Sequence, residues 1–595
     1  MSPRVLPDEP FPEVGTAFAA ALSADGQWLA VLGYLGGAHS PSRTVKPPHG
    51  PRATPRVVLY RRADLACQRT VAVPGESVDN LAFHPVLPLL AVGTNEGDEY
   101  ARHGTLLLVD VVTGRQARVV CADAGVAALR WRDGDTLDVL LTETDPDLMA
   151  EGRVRPVAST VRRPASGDWL DLGGPEATAP EATAPGATAL DVRRPAPEDW
   201  STRVPAVDVA ARHAELRELA ASVGRDWSAR RAVWAVAPLR DGRVLAVRED
   251  SPLECWSPEG QRVWAVPRPT GFLHRGGLQL QVTPDEHTAR VTVDTGDSAS
   301  RRTHVLTVRL ADGSVRTEHR LAYPALLTAR ADGLWAARDT CELFPSYPSW
   351  TPSAALLFAP DGTPLGAAPL GRYDPRSELT VRRSPHLFFL VVRERRAPEG
   401  ELSSTADPAP ASAYLPDDEV FGTRATGGPA TFAEEQALLA RQERWLARVT
   451  PGERNAPGTV QPLFALGPKS AVHGGPAVYV SDAAGPALIL ATTDAGTPRL
   501  TRRSLPDGEP LWSLRTDSAV AGLDVHAGTV YAARTAGDLL AVDAATGTRH
   551  ARHPLTSPEG HTFTPVTLAT TVTGDVVIGT LEGRLLVHRG SARDP

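Results

Sequence analysis

Residues Val520–Arg549 read VAGLDVHAGTVYAARTAGDLLAVDAATGTR. Three short apolar runs, Val520–Val525, Thr529–Ala533 and Asp538–Val542, are separated by His526-Ala527-Gly528, Ala536-Gly537 and Ala544-Ala545-Thr546-Gly547. Runs of this length, bounded by glycine-bearing turns, are strands rather than helices. A fourth strand can follow the last turn. The whole cassette is then about forty residues, the size of one four-stranded antiparallel unit in a repeat fold.

Weaker copies of the cassette fill most of the chain. From Thr16, TAFAAALSADGQWLAVLGY is strand, Asp25-Gly26 turn, strand. The plan recurs in VDNLAFHPVLPLLAVGT, TLLLVDVVTGRQARVV and VAALRWRDGDTLDVLLTET, and in units from Ala232 to the C-terminal RLLVHRG. The last unit has three strands, and residues 2–7, SPRVLP, can supply the fourth. An unpaired edge strand exposes backbone donors and acceptors, so a closing N-terminal strand satisfies them.

Two stretches interrupt the pattern. Pro175–Ala189 is a tandem PEATA, PEATA, PGATA repeat with too little apolar mass to fold. It precedes VPAVDVAARHAELRELAASVG, where Val207, Ala210, Ala211, Ala214, Leu219, Ala220 and Val223 have helical spacing and Gly224 is a stop signal. Residues 397–430 are rich in Ala, Pro, Ser and Asp. They lead into TFAEEQALLARQERWLARV, where Thr431 and Glu434 fit a capping box and Leu438, Leu439, Trp445, Leu446 and Val449 make one helical face.

The expected architecture is therefore all-β: a single large β-propeller of about eight four-stranded blades with two helix-containing insertions. Blades occupy 1–173, 231–396 and 459–595, with ring closure by the N-terminus. A linker plus helix occupies 174–230, and a Pro/Ala-rich insertion plus helix occupies 397–458.

The 595 residues are 42% hydrophobic and 22% charged, with 51 Gly, 54 Pro and a net charge of −8. That balance argues against a general nucleic-acid or membrane-surface binder. Lys46 and Lys469 are the only lysines, so almost all basic charge is arginine. The N-terminus lacks the apolar core of a secretory signal, and no window nears the eighteen or so apolar residues of a membrane span. Cys67, Cys121, Cys255 and Cys341 are far apart, as reduced core cysteines would be. The expected location is cytoplasmic.

Candidate chemistry is sparse. Gly296-Asp297-Ser298-Ala299-Ser300 lacks the second glycine of a G-x-S-x-G nucleophile elbow. Asn95-Glu96-Gly97-Asp98-Glu99 with His103, and Asp133-Gly134-Asp135, offer oxygen ligands for a hard cation, but the same residues are what tight turns use. The sixteen histidines show no metal-binding spacing, and His84 before Pro85 reads as structural. Tryptophans recur at strand positions in RVWAVP, PLWSLR, AVWAVAP and GLWAARD, as inter-blade packing requires. Arg382-Arg383 and Arg393-Glu394-Arg395-Arg396 either face a phosphate or form solvated strand edges. No catalytic, cofactor-binding or metal-ligating residue is assigned.

DLLAVDAATG (Asp538–Gly547) and TLLLVDVVTG (Thr105–Gly114) resemble the strand and turn of PQQ-like repeats. SPEGQRVWAVP and LPDGEPLWSLR share a glycine four residues before a tryptophan, Gly260/Trp264 and Gly508/Trp512. Leu81-Ala82-Phe83-His84-Pro85 is similar to the opening of a WD40 repeat. The chain thus resembles bacterial WD40-like, YVTN-like and PQQ-like propeller repeat families. It departs from them in lacking a Trp-Asp blade ending and the adjacent cysteines of a quinone site, so no cofactor is carried over.

The resemblance implies a non-catalytic protein–protein interaction scaffold in a bacterial multi-component system, with other proteins as partners, an ATPase or signalling component among the candidates, and no nucleic acid or membrane. Leu438, Trp445, Leu446 and Val449 are the candidate partner-binding residues, with docking on the chain's own strands as the competing reading. The alternative function is a propeller enzyme, a lactonase, lyase or hydrolase, with a metal or carboxylate/His site at the channel mouth.

Overall fold

A computed structural model of the chain describes residues 3–7, 9–35, 54–73, 77–97, 102–121, 124–143, 155–172, 194–195, 209–248, 251–269, 279–295, 302–322, 325–340, 352–372, 379–394, 442–452, 456–468, 472–473, 475–494, 496–557 and 560–589. These residues form ten sheets, nearly all of four strands and antiparallel except for one parallel pair, laid down in chain order. Sheets I to III span 16–72, 77–121 and 124–195. Sheets IV to X span 233–265, 280–322, 326–372, 387–468, 476–515, 520–554 and 565–588.

Sheet IX is the cassette quoted above: Val520–His526, Thr529–Arg534, Asp538–Asp543 and Arg549–Pro554. Its first turn places Ala527 and Gly528 at φ 45° and 74°, the left-handed pair that a two-residue hairpin needs. Its third turn is tied by Asp543, whose Oδ1 accepts from the Ala545 and Thr546 amides at 3.0 and 2.9 Å. Asp110 does the same for Val112 and Thr113 in sheet II, so the sequence likeness of DVVTG and DAATG is a likeness of turn geometry.

Strand periodicity decides how sheets stack. In sheet I, Ala30 and Leu32 pack with Val57 and Leu59 on Leu90, Val92, Leu107 and Val109 of sheet II. The intervening Leu29 and Val31 face the opposite way, onto Leu216 and Ala220 of the helix Val209–Ser222. Alternate residues thus belong to different cores, as a pleated strand covered on both faces requires. Sheet II meets sheet III through Leu89, Ala91, Leu106 and Leu108.

Sheets IV to X make a different arrangement. Apolar clusters join IV to V, V to VI, VI to VII, VII to VIII, VIII to IX and IX to X. A further cluster of Leu6, Val233, Val236, Ala246, Val577 and Leu585 joins sheet X back to sheet IV. The innermost strands repeat the circuit: Val233–Pro238, Leu280–Val282, Leu326–Ala329, Thr380–Arg382, Pro476–Asp482, Val520–His526 and Pro565–Thr570 each touch the next, and the last touches the first. Arg4–Leu6 is the fourth strand of sheet X, with Arg4 opposite Val587 and Leu6 opposite Leu585. The expected single series of about eight units is thus ten sheets in two groups, seven in a circuit and three in a row. The row lies in the chain between the closing N-terminal strand and the first sheet of the circuit.

The helix expected in 207–223 is present as Val209–Ser222, with Gly224 at φ 73° ending it. Leu216, fully buried, is its main anchor. The helix expected over 431–449 is a correction. Gln442–Thr450 is a strand, paired to Leu387–Glu394 and Thr459–Pro468 at the centre of sheet VII. A strand buried on both faces shows consecutive apolar residues instead of alternation, and Trp445-Leu446-Ala447 at such a position mimics a helical face. Residues 431–441, including Leu438 and the capping box, lie outside the described residues, as does the PEATA repeat. Among the described residues no helix is long and apolar enough to cross a membrane.

Candidate functional site at the ring axis and the array junction

Sequence-derived candidates fall in different places. Leu446 and Val449 are buried in the cores between sheets VII and VIII and between VI and VII. Trp445 is half-buried against the second of these cores with the Arg393 guanidinium over its ring. These three residues are covered by the chain's own strands. Asp133-Gly134-Asp135 is a turn, closed by the Asp135 amide on Asp133 Oδ1 at 2.9 Å. His84 accepts the Val86 and Leu87 amides at Nδ1, so its Nε2–H donates to the Gly134 carbonyl at 2.8 Å and ties sheet II to sheet III. Asn95–Gly97 continues a strand of sheet II, with Glu96 in register with His103. Residues 296–300, 98–99 and 395–396 lie outside the described residues. Among the described residues no three His, Cys, Asp or Glu side chains gather to hold a metal ion.

The recurrent tryptophans bridge sheets. Trp264 of sheet IV donates its indole N–H to Leu310 O of sheet V at 3.2 Å, and Trp512 of sheet VIII donates to Ala544 O of sheet IX at 3.0 Å. Each indole lies on the glycine of the neighbouring turn, where a Cβ would come within 2.7 Å of Trp264 at Gly313 and 2.8 Å of Trp512 at Gly547.

Arg382 and Arg383 are brought to the middle of the circuit. The strand Thr380–Arg382 leaves the hairpins that follow it in sheet VII and pairs in parallel with Pro476–Asp482. Arg383 holds a left-handed backbone, φ 61°, which costs a non-glycine residue roughly 1–2 kcal/mol. From there its guanidinium grips Asp524 of sheet IX, Nε to Oδ1 at 2.7 Å and Nη2 to Oδ2 at 3.2 Å, and donates to Thr570 Oγ1 of sheet X at 2.8 Å. Arg382 reaches Val236 O of sheet IV at 3.4 Å. The two arginines thus tie a strand of sheet VIII to sheets IV, IX and X.

Asp524 is buried, and burial alone would raise its pKa. The Arg383 hydrogen bonds and the two arginine charges outweigh that and hold the carboxyl below its ordinary range. Burial pushes the Arg382 pKa down, and the adjacent Arg383 adds to this. Asp524 and Thr570 carry no signal in the sequence, because each sits in an ordinary strand and acquires its role only by ring geometry.

A second buried charge system joins the row of three sheets to the circuit. Glu9, just after the closing strand, takes a bidentate pair from Arg230 at 2.9 and 2.5 Å and lies 3.5 Å from Arg584. Arg584 also donates to the Pro7 and Pro10 carbonyls at 3.3 and 3.2 Å, and burial lowers its pKa to about 10. Arg56 of sheet I donates to Glu13 O at 3.1 Å and lies 3.7 Å from Glu582 of sheet X. Burial would raise the Glu582 carboxyl, but the His561 hydrogen bond and the Arg56 charge hold it low. Glu13 goes the other way: burial raises it, and Tyr60 Oη donates to its Oε2 at 2.8 Å. The arrangement fastens the row of three sheets to the circuit.

No family model and no curated protein matches the chain. Among solved structures it is similar to a computationally designed protein, Ika8, at 13% identity and a TM-score of 0.32, over 60% of this chain and 96% of that one. A score at that level carries no argument.

Proposed function

We propose that the chain is a non-catalytic scaffold for other proteins, built on a seven-bladed propeller to which a three-bladed array is fixed. The observation that carries this reading is the buried junction of Glu9, Arg56, Arg230, Glu582 and Arg584. Breaking such a pair by removing one partner leaves an uncompensated buried charge, at about 3–5 kcal/mol. Ring and array are thereby held in one fixed relation, as a platform that presents two surfaces to one assembly requires. The resemblance to bacterial propeller repeats supports partners within a multi-component system, an ATPase or signalling protein among them.

The test is tagged full-length chain expressed in its native host, recovered under mild cross-linking and sized. A stoichiometric complex, lost when Glu582→Gln and Arg56→Met together loosen the array, is the expected result. Recovery of the chain alone, with turnover of lactone or ester substrates by the purified protein, would overturn it.

A further inference from the structure

We propose that the arginine pair Arg382 and Arg383, on the inner side of the circuit, binds one oxyanion group, a carboxylate or a phosphate. Three independent observations lead there.

The first is charge. Across the seven innermost strands the carboxylates are Asp482 and Asp524. Asp482 is engaged by Arg502, whose Nη1 and Nη2 reach its oxygens at 2.8 and 2.7 Å. Among the described residues of these strands, Asp524 is thus the one carboxylate facing both Arg382 and Arg383, one negative charge against two positive. A buried charge without a partner is costly, and an anion entering the site removes that cost.

The second is unused hydrogen-bonding capacity. A guanidinium has five N–H donors in a planar fork that fits a carboxylate or phosphate edge. Among the described residues Arg382 makes a single long hydrogen bond, to Val236 O. Arg383 commits Nε and Nη2, its Nη1 meets no acceptor among the described residues, and 47% of its side chain is open to solvent. Arg382 is surrounded by protein yet keeps part of its surface accessible.

The third is backbone geometry. Strand Thr380–Arg382 pairs in parallel away from the hairpins that follow it, and Arg383 occupies a conformation that glycine would adopt more readily. Strain of this kind collects where a site must be held against local preference. Val381 anchors the strand in the core on one side of Arg383, and the buried Ser384, whose carbonyl accepts the Ala331 amide at 2.7 Å, does so on the other.

Full-length protein is titrated calorimetrically with inorganic phosphate and, separately, with glutarate as the mimic of an acidic side chain, at ionic strength fixed with sodium chloride. Saturable binding of either probe, weakened at least tenfold in Arg382→Met and in Arg383→Met, is expected. Phosphate alone indicates a free or nucleotide-borne oxyanion, and glutarate alone indicates an acidic peptide. Asp524→Asn provides the opposite sign: it removes the competing carboxylate and should tighten binding several-fold, which a purely structural role for the cluster would not do. No binding to the natural chain, binding in both arginine variants as tight as in the natural chain, or unchanged or weaker binding in Asp524→Asn overturns the proposal. If the arginine variants do not fold, the natural chain and Asp524→Asn decide.

Discussion

Arg502 is fully buried in sheet VIII and serves three acceptors: both oxygens of Asp482 and the Ala544 carbonyl of sheet IX at 2.8 Å. It is one of seven such residues. Arg248, Arg290, Arg338, Arg444, Arg502, Arg534 and Arg584 fall one to each sheet of the circuit, and none of the seven lies in sheets I to III. Arg248 bonds Gly583 O of sheet X, Arg290 bonds Pro360 O of sheet VI, and Arg338 bonds Leu390 O of sheet VII. Each of these spans a seam between sheets through a neighbour's main-chain carbonyl, a contact that needs a charge that persists when desolvated and donors that fork. Lysine meets neither need. Arg502→Lys is expected to lower stability by about 1–2 kcal/mol, discounted because Asp482 keeps a third of its surface in water. The check is the thermal midpoint beside that of Arg61→Lys, whose exposed pair with Asp64 should give no measurable shift. Equal shifts would remove the seam role.

At the scale of elements, two segments distant from the repeat decide whether sheets are complete. Deleting residues 2–7 removes Arg4–Leu6, leaves Leu585–His588 with an open edge, and takes the buried Leu6 out of the cluster that joins sheets X and IV. A lowered thermal midpoint with soluble protein retained is expected, and an unchanged midpoint would show that the circuit holds without its fourth strand. Deleting 397–458 is more severe, since it removes the centre of sheet VII with the buried Arg444, Leu446 and Val449. That variant should not yield folded protein by circular dichroism. The contrast marks what the sequence discloses. The hairpins of sheet IX were legible because glycine at positive φ and period-two alternation coincide there. The helix Val209–Ser222 was legible from its spacing and its stop. Gln442–Thr450 was not, because both its faces are buried and apolar residues run on without alternation. The division into seven and three was not legible either, since it depends on the innermost strand of sheet X packing on that of sheet IV. The Arg382-Arg383 pair was visible as a candidate anion contact, but its partner Asp524 lies 141 residues away and only the fold joins them.

For the whole molecule, histidines set the response to acid. His84 at the seam of sheets II and III, His213 on the helix over sheet I, and His319, His386, His553 and His588 in the circuit all have pKa values below the ordinary 6.5, in each case first because of burial. His588 is lowest, at about 4, with the His553 ring 4.5 Å away opposing a second positive charge. The native state therefore favours neutral imidazoles, and the unfolded chain takes up protons first as pH falls. By linkage, stability is fully present above about 6.5 and is lost as pH drops through the interval between that value and the folded pKa of each group. The buried carboxylates Glu9, Asp524 and Glu582 have lowered pKa values and add a later loss, beginning near their ordinary values of 4.5 and 3.8. The thermal midpoint should be flat from pH 7 to 8, fall between pH 6.5 and 5, and fall again below about pH 4.5. His588→Leu keeps an apolar side chain at the site and removes one proton acceptor, so the first descent should become shallower while the second is unchanged. A midpoint flat from pH 7 to 5 in the natural chain would show that these imidazoles titrate alike in the folded and unfolded states, and the burial argument would fail for both ring and array.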